Sequence, residues 1–313
     1  MSFFNRLSGA KENVQLKDYT TFKIGGPARY FLIAESKEDI INAVRAARES
    51  GVPFFILGGG SNLLVSDKGF DGMVIKISNC ELRIANLRIN CGAGVLLSKV
   101  IAESVKSNLS GLEWAAGIPG TIGGAVVVNA GAYGHSISEY VEEVKTLNDK
   151  FQVLSFKFQN CGFVYRGSRF GGAGEIIVEV VLNLEGGDKE GSRQKIKEII
   201  LERGGKNPSQ PSAGSVFKNP RLDDNNASLI EKFPDIAERV RSGKIAAGYL
   251  IEQCGLRGRQ IGGAKISEEH ANFIVNLGGA RAEDVVALIE LCKDGVKKRY
   301  NIILEEEVRY LGF

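Results

Sequence analysis

Two glycine-rich stretches are the residues whose types and spacing most clearly suggest chemistry. The longer stretch, residues 111–134, is glycine-rich and apolar, and the shorter one, residues 58–62, reads Gly-Gly-Gly-Ser-Asn directly after the apolar run 54–57. Glycine adopts positive φ angles and has no side chain, so its backbone amides can approach a ligand and point at anionic oxygens. One such turn alone is often only a tight loop between strands. Two of them favour a phosphate cradle for one large ligand.

Neither stretch matches a common nucleotide-binding fingerprint. No Gly-x-Gly-x-x-Gly lies between a strand and a helix, and no Gly-x-x-x-x-Gly-Lys-Ser/Thr occurs. The turn Gly92-Ala93-Gly94 lacks the third glycine of the dinucleotide fingerprint, and we interpret it as structural. A Rossmann domain and a P-loop are therefore disfavoured.

Three short polar stretches could supply acid–base or anion-binding groups. Residues 165–170 read Tyr-Arg-Gly-Ser-Arg-Phe, residues 214–220 read Gly-Ser-Val-Phe-Lys-Asn-Pro, and residues 307–309 read Glu-Val-Arg. Taken singly, each has an ordinary explanation as a turn or a solvated surface. The chain has only 2 histidines, His135 and His270, far apart in sequence. We therefore expect no histidine metal site, and acid–base chemistry should use serine, tyrosine, lysine, arginine or carboxylate side chains.

Composition narrows the class of protein. The chain has 313 residues, enough for two or three packed subdomains, and its 40 basic against 37 acidic residues give a net charge of +3. That charge is too small for a general nucleic-acid footprint. The 5 cysteines form no Cys-x-x-Cys pair, and neither a signal peptide nor a long apolar run is visible. We expect a soluble cytoplasmic protein without a disulfide framework or membrane insertion, and no obligate protein partner is evident.

The elements that must position these stretches indicate an α+β fold. Ser36 and Asp39 form a variant capping box that opens a helix, and this helix should cover a sheet containing residues 54–57. Short turns between later strands predict antiparallel pairing. Turn-forming residues at 204–211 mark a subdomain boundary. The predicted strands are 28–34, 54–57, 73–77, 82–91, 141–147, 152–158, 175–184, 262–266, 272–275 and 302–310, and the predicted helices are 36–50, 95–106, 192–203, 246–254 and 282–299.

The order of several long motifs makes the sequence recognisable. The run Tyr-Thr-Thr-Phe-Lys-Ile-Gly-Gly-Pro-Ala at residues 19–28, both glycine stretches and the three polar stretches follow one another as in one family. The sequence resembles the UDP-N-acetylenolpyruvoylglucosamine reductases, also named UDP-N-acetylmuramate dehydrogenases, from about residue 13 to residue 312.

The resemblance implies an FAD-binding fold of two α+β subdomains, similar to that of vanillyl-alcohol-oxidase-like flavoenzymes, plus a C-terminal α+β substrate-binding subdomain. The expected division places residues 1–80 with 301–313 in the first subdomain, 81–207 in the second and 208–300 in the third. FAD is expected to bind non-covalently in the glycine cradle. By the family pattern its ligands are Gly58, Gly59, Gly60, Ser61, Asn62, Gly117, Pro119, Gly120, Thr121, Gly123 and Gly124.

The implied reaction is a two-step hydride relay in peptidoglycan precursor synthesis. NADPH reduces the flavin, and hydride then passes to the enolpyruvyl group of a UDP-linked sugar. By the family pattern Arg166 binds and polarises the substrate carboxylate, Ser215 donates a proton to the carbanionic carbon, and Glu307 helps to polarise the enol ether or carboxylate. The strand register also places Glu305 on the same side as Glu307, but the Glu-Val-Arg pattern selects Glu307.

Further substrate contacts are expected from residues beside these three. Tyr133, Lys218 and Asn219 are candidates for the UDP diphosphate, with a structural role as the alternative for each, and Tyr165 is expected near the flavin or substrate. The family has a longer form with a tyrosine-bearing loop. The segment between residues 184 and 215 is short and contains no tyrosine, so this chain resembles the shorter form.

Two other functions stay open at the level of the sequence. One is an FAD-linked oxidase of the same broad fold, with the flavin tethered through His135 or a cysteine. The other is a non-catalytic nucleotide-binding protein that retains the glycine cradle, although the joint presence of Arg166, Ser215 and Glu307 speaks against it.

Overall fold

The structure is a computed structural model, and it describes residues 7–172, 174–222 and 229–313. The chain forms two compact units. The first combines Ala28–Gly59 and Asp71–Gly205 with the described part of Met1–Val14. The second combines Gln15–Pro27 and Gly60–Phe70 with the described part of Lys206–Phe313. No helix in these described ranges is both long and apolar enough to cross a membrane.

The strands and helices are named in chain order. The helices are α1 Lys37–Glu49, α2 Leu97–Lys106, α3 Ile122–Val127, α4 Lys189–Lys206, α5 Leu229–Lys232, α6 Ala247–Gln253 and α7 Ala282–Tyr300. The strands are β1 Lys11–Gln15, β2 Pro27–Ala34, β3 Phe54–Leu57, β4 Leu63–Val65, β5 Phe70–Ile77, β6 Leu82–Ala85, β7 Arg88–Gly92, β8 Leu109–Ser110, β9 Gly131–Ala132, β10 His135–Ser136, β11 Val141–Leu147, β12 Val153–Lys157, β13 Ile176–Asn183, β14 Glu185–Gly186, β15 Ser212–Ser215, β16 Val240–Arg241, β17 Lys244–Ile245, β18 Gln260–Ile261, β19 Ala264–Ile266, β20 Phe273–Asn276 and β21 Arg309–Leu311.

A four-stranded sheet and helix α1 form one part of the first unit. The strand order is β1-β2-β5-β3, and β3 pairs in parallel with β5. The predicted capping box is confirmed, because the Asp39 amide donates to Ser36 Oγ at 3.1 Å and the Ser36 amide donates to Asp39 Oδ2 at 3.0 Å. Ile40 and Val44 of α1 are buried in the same core cluster as Ile75 of β5. This packing fixes the end of β3, from which the first glycine turn begins.

A five-stranded antiparallel sheet forms the other part of the first unit, in the order β12-β11-β13-β7-β6. The predicted antiparallel strands are confirmed within one residue at each end. The prediction of a single strand over 82–91 is wrong, because β6 and β7 form a hairpin. Asn86 adopts a φ of 54° at its turn, and Leu87 is 45% exposed there. Asparagine tolerates this left-handed conformation, which reverses the chain.

The second unit contains an antiparallel sheet, in the order β15-β20-β19-β18, and the long helix α7. The predicted stripe of α7 is confirmed: Val285, Leu288, Ile289, Cys292 and Val296 are each at most 1% exposed. Acidic residues in the first turn and basic residues in the last turn match the helix dipole. The helix is thus a packing element of this core.

The predicted final strand over 302–310 is wrong in extent, because only β21, Arg309–Leu311, forms a strand, and it pairs in parallel with β4. The Glu307 and Val308 amides both donate to the Val216 carbonyl oxygen, at 2.7 and 3.4 Å. This stretch therefore binds the segment after Ser215 instead of joining a sheet.

Helix α4 is longer than predicted, since it runs from Lys189 to Lys206 and includes Gly204 and Gly205. The predicted turn at 204–211 therefore begins too early. The contact boundary between the two units falls between Gly205 and Lys206. The division into three subdomains stays a prediction; the contacts group residues 301–313 with the second unit.

Candidate active site

The two glycine turns of the first unit pack directly against each other. A Cβ atom on Gly59 would lie 2.6 Å from Gly120 Cα, and a Cβ on Gly58 would lie 2.7 Å from Thr121 Oγ1. Real Cβ atoms do not make such close contacts, so only glycine fits at these two positions. Gly117 and Gly120 have φ angles of 78° and 121°, which side chains rarely adopt. The sequence therefore brings two backbone segments into van der Waals contact.

Several backbone amides at this junction are free to donate to an anion. The backbone amides of Gly58, Gly59, Gly117, Gly120 and Thr121 donate no hydrogen bond within the part of the chain that the structure describes. Thr121 is only 3% exposed, and unpaired amides at such sites are costly unless a ligand or water accepts from them. A diphosphate offers several anionic oxygens to these donors. The cradle therefore fits the pyrophosphate of FAD.

Other predicted cofactor residues of the second stretch support its backbone. The Gly123 amide donates to the Ala93 carbonyl at 3.0 Å, and a Cβ on Gly123 would lie 2.8 Å from Ala93 Cβ. The Gly124 amide donates to Thr121 Oγ1 at 3.3 Å, which caps helix α3. Pro119 is exposed between the two positive-φ glycines. Gly123 and Gly124 thus shape the turn, while their own amides are already bonded.

The remaining predicted cofactor residues, Gly60, Ser61 and Asn62, belong to the second unit. Gly60 has a φ of 63°, and a Cβ there would lie 2.1 Å from the Tyr19 carbonyl oxygen. Asn62 Nδ2 donates to the Glu307 carbonyl oxygen at 2.9 Å. Asn62 therefore positions the backbone of a predicted catalytic residue.

Ser215 ends strand β15 at an irregular pairing. Ser215 pairs with Phe273, and the register shifts after Ser212, where Gly214 adopts a φ of 77°. Ser215 is half-buried, and its hydroxyl makes no hydrogen bond within the described residues. The site leaves this hydroxyl available to a ligand.

Asn272 fixes the backbone directly after Ser215. Its Oδ1 accepts from the Phe217 amide at 3.0 Å, and its Nδ2 donates to the Phe217 carbonyl at 2.8 Å. Its own carbonyl accepts from the Val216 amide at 2.8 Å. Asn272 is 4% exposed. This residue was not predicted, because the sequence shows only an asparagine at the start of an apolar strand and not its burial.

Glu307 lies beside this clamp. Its amide donates to Val216, its carbonyl accepts from Asn62, and Glu306 forms an isolated bridge with Phe217. The structure thus brings the backbones of Ser215 and Glu307 together, because the Glu307 amide donates to Val216, the residue directly after Ser215. The two predicted residues are separated by 92 positions in sequence but belong to one polar site of the second unit.

The acidic run 305–307 splits into different contacts. Glu305 is exposed and pairs with Lys218 Nζ at 3.2 Å. Glu306 pairs with Lys293 and accepts from the Tyr310 hydroxyl. Burial, followed by the neighbouring Glu306 carboxylate, raises the pKa of Tyr310 above its ordinary range. Glu305 and Glu306 are therefore each engaged with other side chains, and the selection of Glu307 by the Glu-Val-Arg pattern stays a prediction.

Arg166 lies in the first unit, in a tight turn of residues 164–167. Val164 and Gly167 exchange backbone hydrogen bonds at 3.0 and 3.2 Å. Arg166 itself adopts a φ of 56°, a conformation that costs a non-glycine residue roughly 1 kcal/mol. Asn129 Nδ2 holds the turn through the Val164 carbonyl at 2.9 Å. Such strain at a polar residue is typical of a functional position.

Gly131 leaves room for the Arg166 side chain. A Cβ on Gly131 would lie 3.2 Å from Arg166 Nη1. The guanidinium also lies 5.6 Å from the centre of the Tyr165 ring. The glycine-rich stretch 111–134 continues from the proposed FAD cradle to Gly131. One segment of the first unit therefore contributes to the cradle and also borders the Arg166 side chain.

The other predicted substrate residues lie in different surroundings. Tyr133 is 45% exposed at the tip of the β9–β10 hairpin, where it has a φ of 54°. Asn219 Oδ1 accepts from the Ala247 amide at 3.0 Å, at the start of α6. Asn219 therefore has a structural contact, whereas Tyr133 presents its ring to the surface.

Comparisons with known proteins identify family models and relatives that match this chain. A family model described as FAD binding domain matches residues 28–155, and one described as UDP-N-acetylenolpyruvoylglucosamine reductase, C-terminal domain, matches residues 207–311. The UDP-N-acetylenolpyruvoylglucosamine reductase of Heliobacterium modesticaldum is 39% identical over 94% of this chain and 88% of its own length. That of Caldanaerobacter subterraneus is 38% identical over 96% of this chain and 93% of its own length.

A solved structure is similar along the whole chain. The crystal structure of UDP-N-acetylenolpyruvylglucosamine reductase from Thermus caldophilus matches with a TM-score of 0.77 and 36% identity, over 96% of this chain and 98% of that chain. This likeness confirms the predicted fold class and the resemblance noted from the motifs. The chain therefore belongs to the UDP-N-acetylenolpyruvoylglucosamine reductase family and is an FAD-binding oxidoreductase.

Proposed function

We propose that this protein reduces the enolpyruvyl group of UDP-N-acetylglucosamine enolpyruvate to UDP-N-acetylmuramate with NADPH, in peptidoglycan precursor synthesis in the cytoplasm. The observation that carries the proposal is the likeness to reductases of that name over at least 94% of the chain. It includes both the glycine cradle and the Ser215–Glu307 site. We also retain the proposal that residues 208–300 bind the nucleotide substrate.

When bound, FAD would supply a hydride acceptor for NADPH and a hydride donor for the terminal carbon of the enolpyruvyl group. Negative charge then develops on the neighbouring carbon and on the substrate carboxylate. The protein must therefore supply an anion-binding group and a proton. Arg166, Ser215 and Glu307 have these chemical properties.

Ser215 is the proposed proton donor. The Asn272 clamp holds the backbone beyond it, and no described residue accepts from its hydroxyl. Serine is a weak acid in water, so the transfer needs neighbouring groups that stabilise the alkoxide until a proton returns. Glu307, fixed across Val216, is the neighbour proposed to polarise the substrate there.

Arg166 is the proposed carboxylate ligand. A guanidinium presents parallel donors that match the two oxygens of a carboxylate. The turn of residues 164–167 fixes the backbone from which this side chain extends.

Lys218 is proposed to contact the UDP diphosphate. Lys218 pairs with Glu305, whose side chain is 73% exposed. Such surface ion pairs contribute at most about 1 kcal/mol to stability. A diphosphate can therefore replace Glu305. Tyr133, Tyr165 and Asn219 remain proposed substrate contacts of the same kind.

An anaerobic spectroscopic titration tests the function. NADPH should bleach the oxidised flavin spectrum of the holoenzyme, and adding the enolpyruvyl sugar nucleotide should restore it in one equivalent. UDP-N-acetylglucosamine, which lacks the enolpyruvyl group, is the control and should leave the flavin reduced. Failure of the nucleotide to restore the spectrum of intact, reducible protein would refute the proposed substrate.

A further inference from the structure

His270 lies directly before the residues that hold the Ser215 strand. The Asn272 backbone amide donates to His270 Nδ1 at 3.2 Å, and the Phe273 amide donates to the His270 carbonyl oxygen at 2.9 Å. Asn272 clamps the Phe217 backbone, and Phe273 pairs with Ser215. His270 is thus bonded to both residues that fix the segment around Ser215.

The bond from the Asn272 amide fixes the protonation state of the imidazole. A backbone amide can only donate, so Nδ1 must accept with its lone pair. The neutral ring then carries its proton on Nε2. A charged imidazolium has hydrogens on both ring nitrogens, and its Nδ1–H would oppose the Asn272 amide hydrogen. Protonation of His270 therefore breaks this bond and removes one support of the Ser215 segment.

Helix α6 packs against the imidazole ring. A Cβ on Gly248 of this helix would lie 3.1 Å from His270 Cε1 and 3.3 Å from His270 Nδ1, so the ring lies close against the helix backbone. The Phe273 ring lies on another side, with its centre 4.9 Å from that of His270. These contacts half-bury His270 and hold its ring against the Asn272 amide.

The charged groups around the ring are already paired. Glu252 of α6 and Arg257 of the following loop face the ring and pair with each other at 3.0 Å. Glu268 and Glu269, beside His270 in its own loop, bind a lysine of β19 and a neighbouring serine. Burial lowers the pKa of His270 below its ordinary value of 6.5; Arg257 acts in the same direction and Glu252 in the opposite one. The ring is therefore neutral at pH 7.

We propose that His270 is a positioning residue of the reductase reaction, whose neutral Nε2–H tautomer holds Asn272, and thereby the Ser215 segment, in place for proton donation. This role rests on the proposed function of Ser215 as the proton donor. Because the effect of His270 passes through Asn272, it should change reoxidation of the flavin by substrate and leave reduction by NADPH nearly unchanged. Reoxidation should also weaken in acid, as His270 gains a proton.

The test measures both half-reactions of the holoenzyme by anaerobic stopped-flow from about pH 5 to about pH 8. In His270→Asn the side-chain Oδ1 can replace Nδ1 as the acceptor but does not titrate. Its reoxidation at the upper pH should stay within about twofold of wild type, and the decrease below about pH 6.5 should be smaller than in wild type. His270→Leu has no acceptor, so its reoxidation should slow about 3- to 10-fold at every pH, as expected for loss of one hydrogen bond.

The matched control is His135→Asn, which removes the other histidine of the chain. His135 is exposed and pairs with Glu139 at 2.8 Å, and its variant should keep the pH dependence of wild type. The same pH dependence in His270→Asn and wild type would overturn the proposal, and so would reoxidation of His270→Leu at the wild-type rate or equal losses in both half-reactions. Failure of wild type to be reoxidised by the enolpyruvyl sugar nucleotide would refute the proposed function itself.

Nitrogen-15 NMR of the wild-type holoenzyme tests the tautomer without a variant of His270. The chain has only 2 histidines, so loss of one set of ring signals in His135→Asn assigns the other set to His270. The His270 ring should be a neutral Nε2–H tautomer at pH 7. An Nδ1–H tautomer or a charged ring at that pH would overturn the proposal, even where His270→Leu fails to fold.

Discussion

At the scale of the residue, two buried asparagines fix the backbones of the proposed catalytic groups: Asn272 holds the segment after Ser215, and Asn129 holds the Arg166 turn. Ser215 and Glu307 were predicted from short motifs, and their backbones meet across Val216. Asn272, which clamps that backbone, and Asn129, which holds the Arg166 turn, were missed. A side-chain amide that bonds distant backbone has no local periodicity, so one sequence does not distinguish it from a surface asparagine.

Arg166→Lys should lower the rate of substrate reduction at least about tenfold, because an ammonium cannot form a bidentate pair with a carboxylate. Reduction of the flavin by NADPH should be nearly unchanged. Rapid mixing under anaerobic conditions measures the two steps separately. Arg169→Lys is the matched control, since Arg169 lies three residues after Arg166 and pairs instead with Glu175. Equal rates in Arg166→Lys and wild type would remove Arg166 from the carboxylate site.

At the scale of the element, the strands and helices with strong periodicity were predicted well, and their ends less well. Strands β3 and β11 have the predicted bounds, and α7 ends one residue later than expected. The errors have local causes. Asn86 turns the chain inside the predicted strand 82–91. The Val216 carbonyl accepts from the Glu307 and Val308 amides, which a strand over 302–310 would have paired with another strand.

The contact between the glycine turns gives a steric prediction. Gly59→Ala should reduce the FAD content of purified protein strongly and lower the stability by about 1–3 kcal/mol, because its Cβ meets Gly120 Cα at 2.6 Å. Flavin absorbance and thermal unfolding measure the two effects. Gly186→Ala is the control, as nothing lies within 4 Å of a Cβ there. Normal flavin content and stability in Gly59→Ala would contradict the packed cradle.

The clamp on the segment after Ser215 should be tested by Asn272→Leu. This change leaves the Phe217 amide and carbonyl without their buried partner, a cost of roughly 1–3 kcal/mol for each group. Reoxidation of the reduced enzyme by substrate should slow more than reduction by NADPH, because only reoxidation uses Ser215. An equal decrease in both steps would indicate a general structural role.

Low pH should weaken the hydrogen bond that Ser192 of helix α4 donates to the Glu113 carboxylate. Burial would raise the pKa of this carboxyl. Ser192 Oγ donates to it at 2.5 Å and the Gly111 amide donates to it at 2.8 Å, and these hydrogen bonds outweigh burial. The pKa of Glu113 therefore lies below its ordinary value of 4.5. The stabilisation is therefore fully present above about pH 4.5 and is lost as the pH falls through the folded pKa. Urea unfolding at pH 7 and pH 3.5 should show a smaller pH effect in Glu113→Gln than in wild type; the same pH effect in both would contradict this role.

At the scale of the whole molecule, the proposed catalytic groups come from both compact units. Arg166 and the FAD cradle residues 58, 59 and 117–124 belong to the first, while Ser215 and Glu307 belong to the second. The order of motifs predicted this family and fold, because long motifs in sequence order are far more specific than any one glycine turn. The contact grouping into two units was not predicted, since it depends on distant pairings such as β4 with β21.

The central claim is that Ser215 supplies the proton when hydride reaches the substrate, and anaerobic stopped-flow with Ser215→Ala tests it most directly. Reduction of the flavin by NADPH should proceed near the wild-type rate. Reoxidation by the enolpyruvyl sugar nucleotide should slow by about 10²- to 10⁴-fold, the span expected for loss of a general acid. Reoxidation at the wild-type rate, or an equal loss in both steps, would contradict the account.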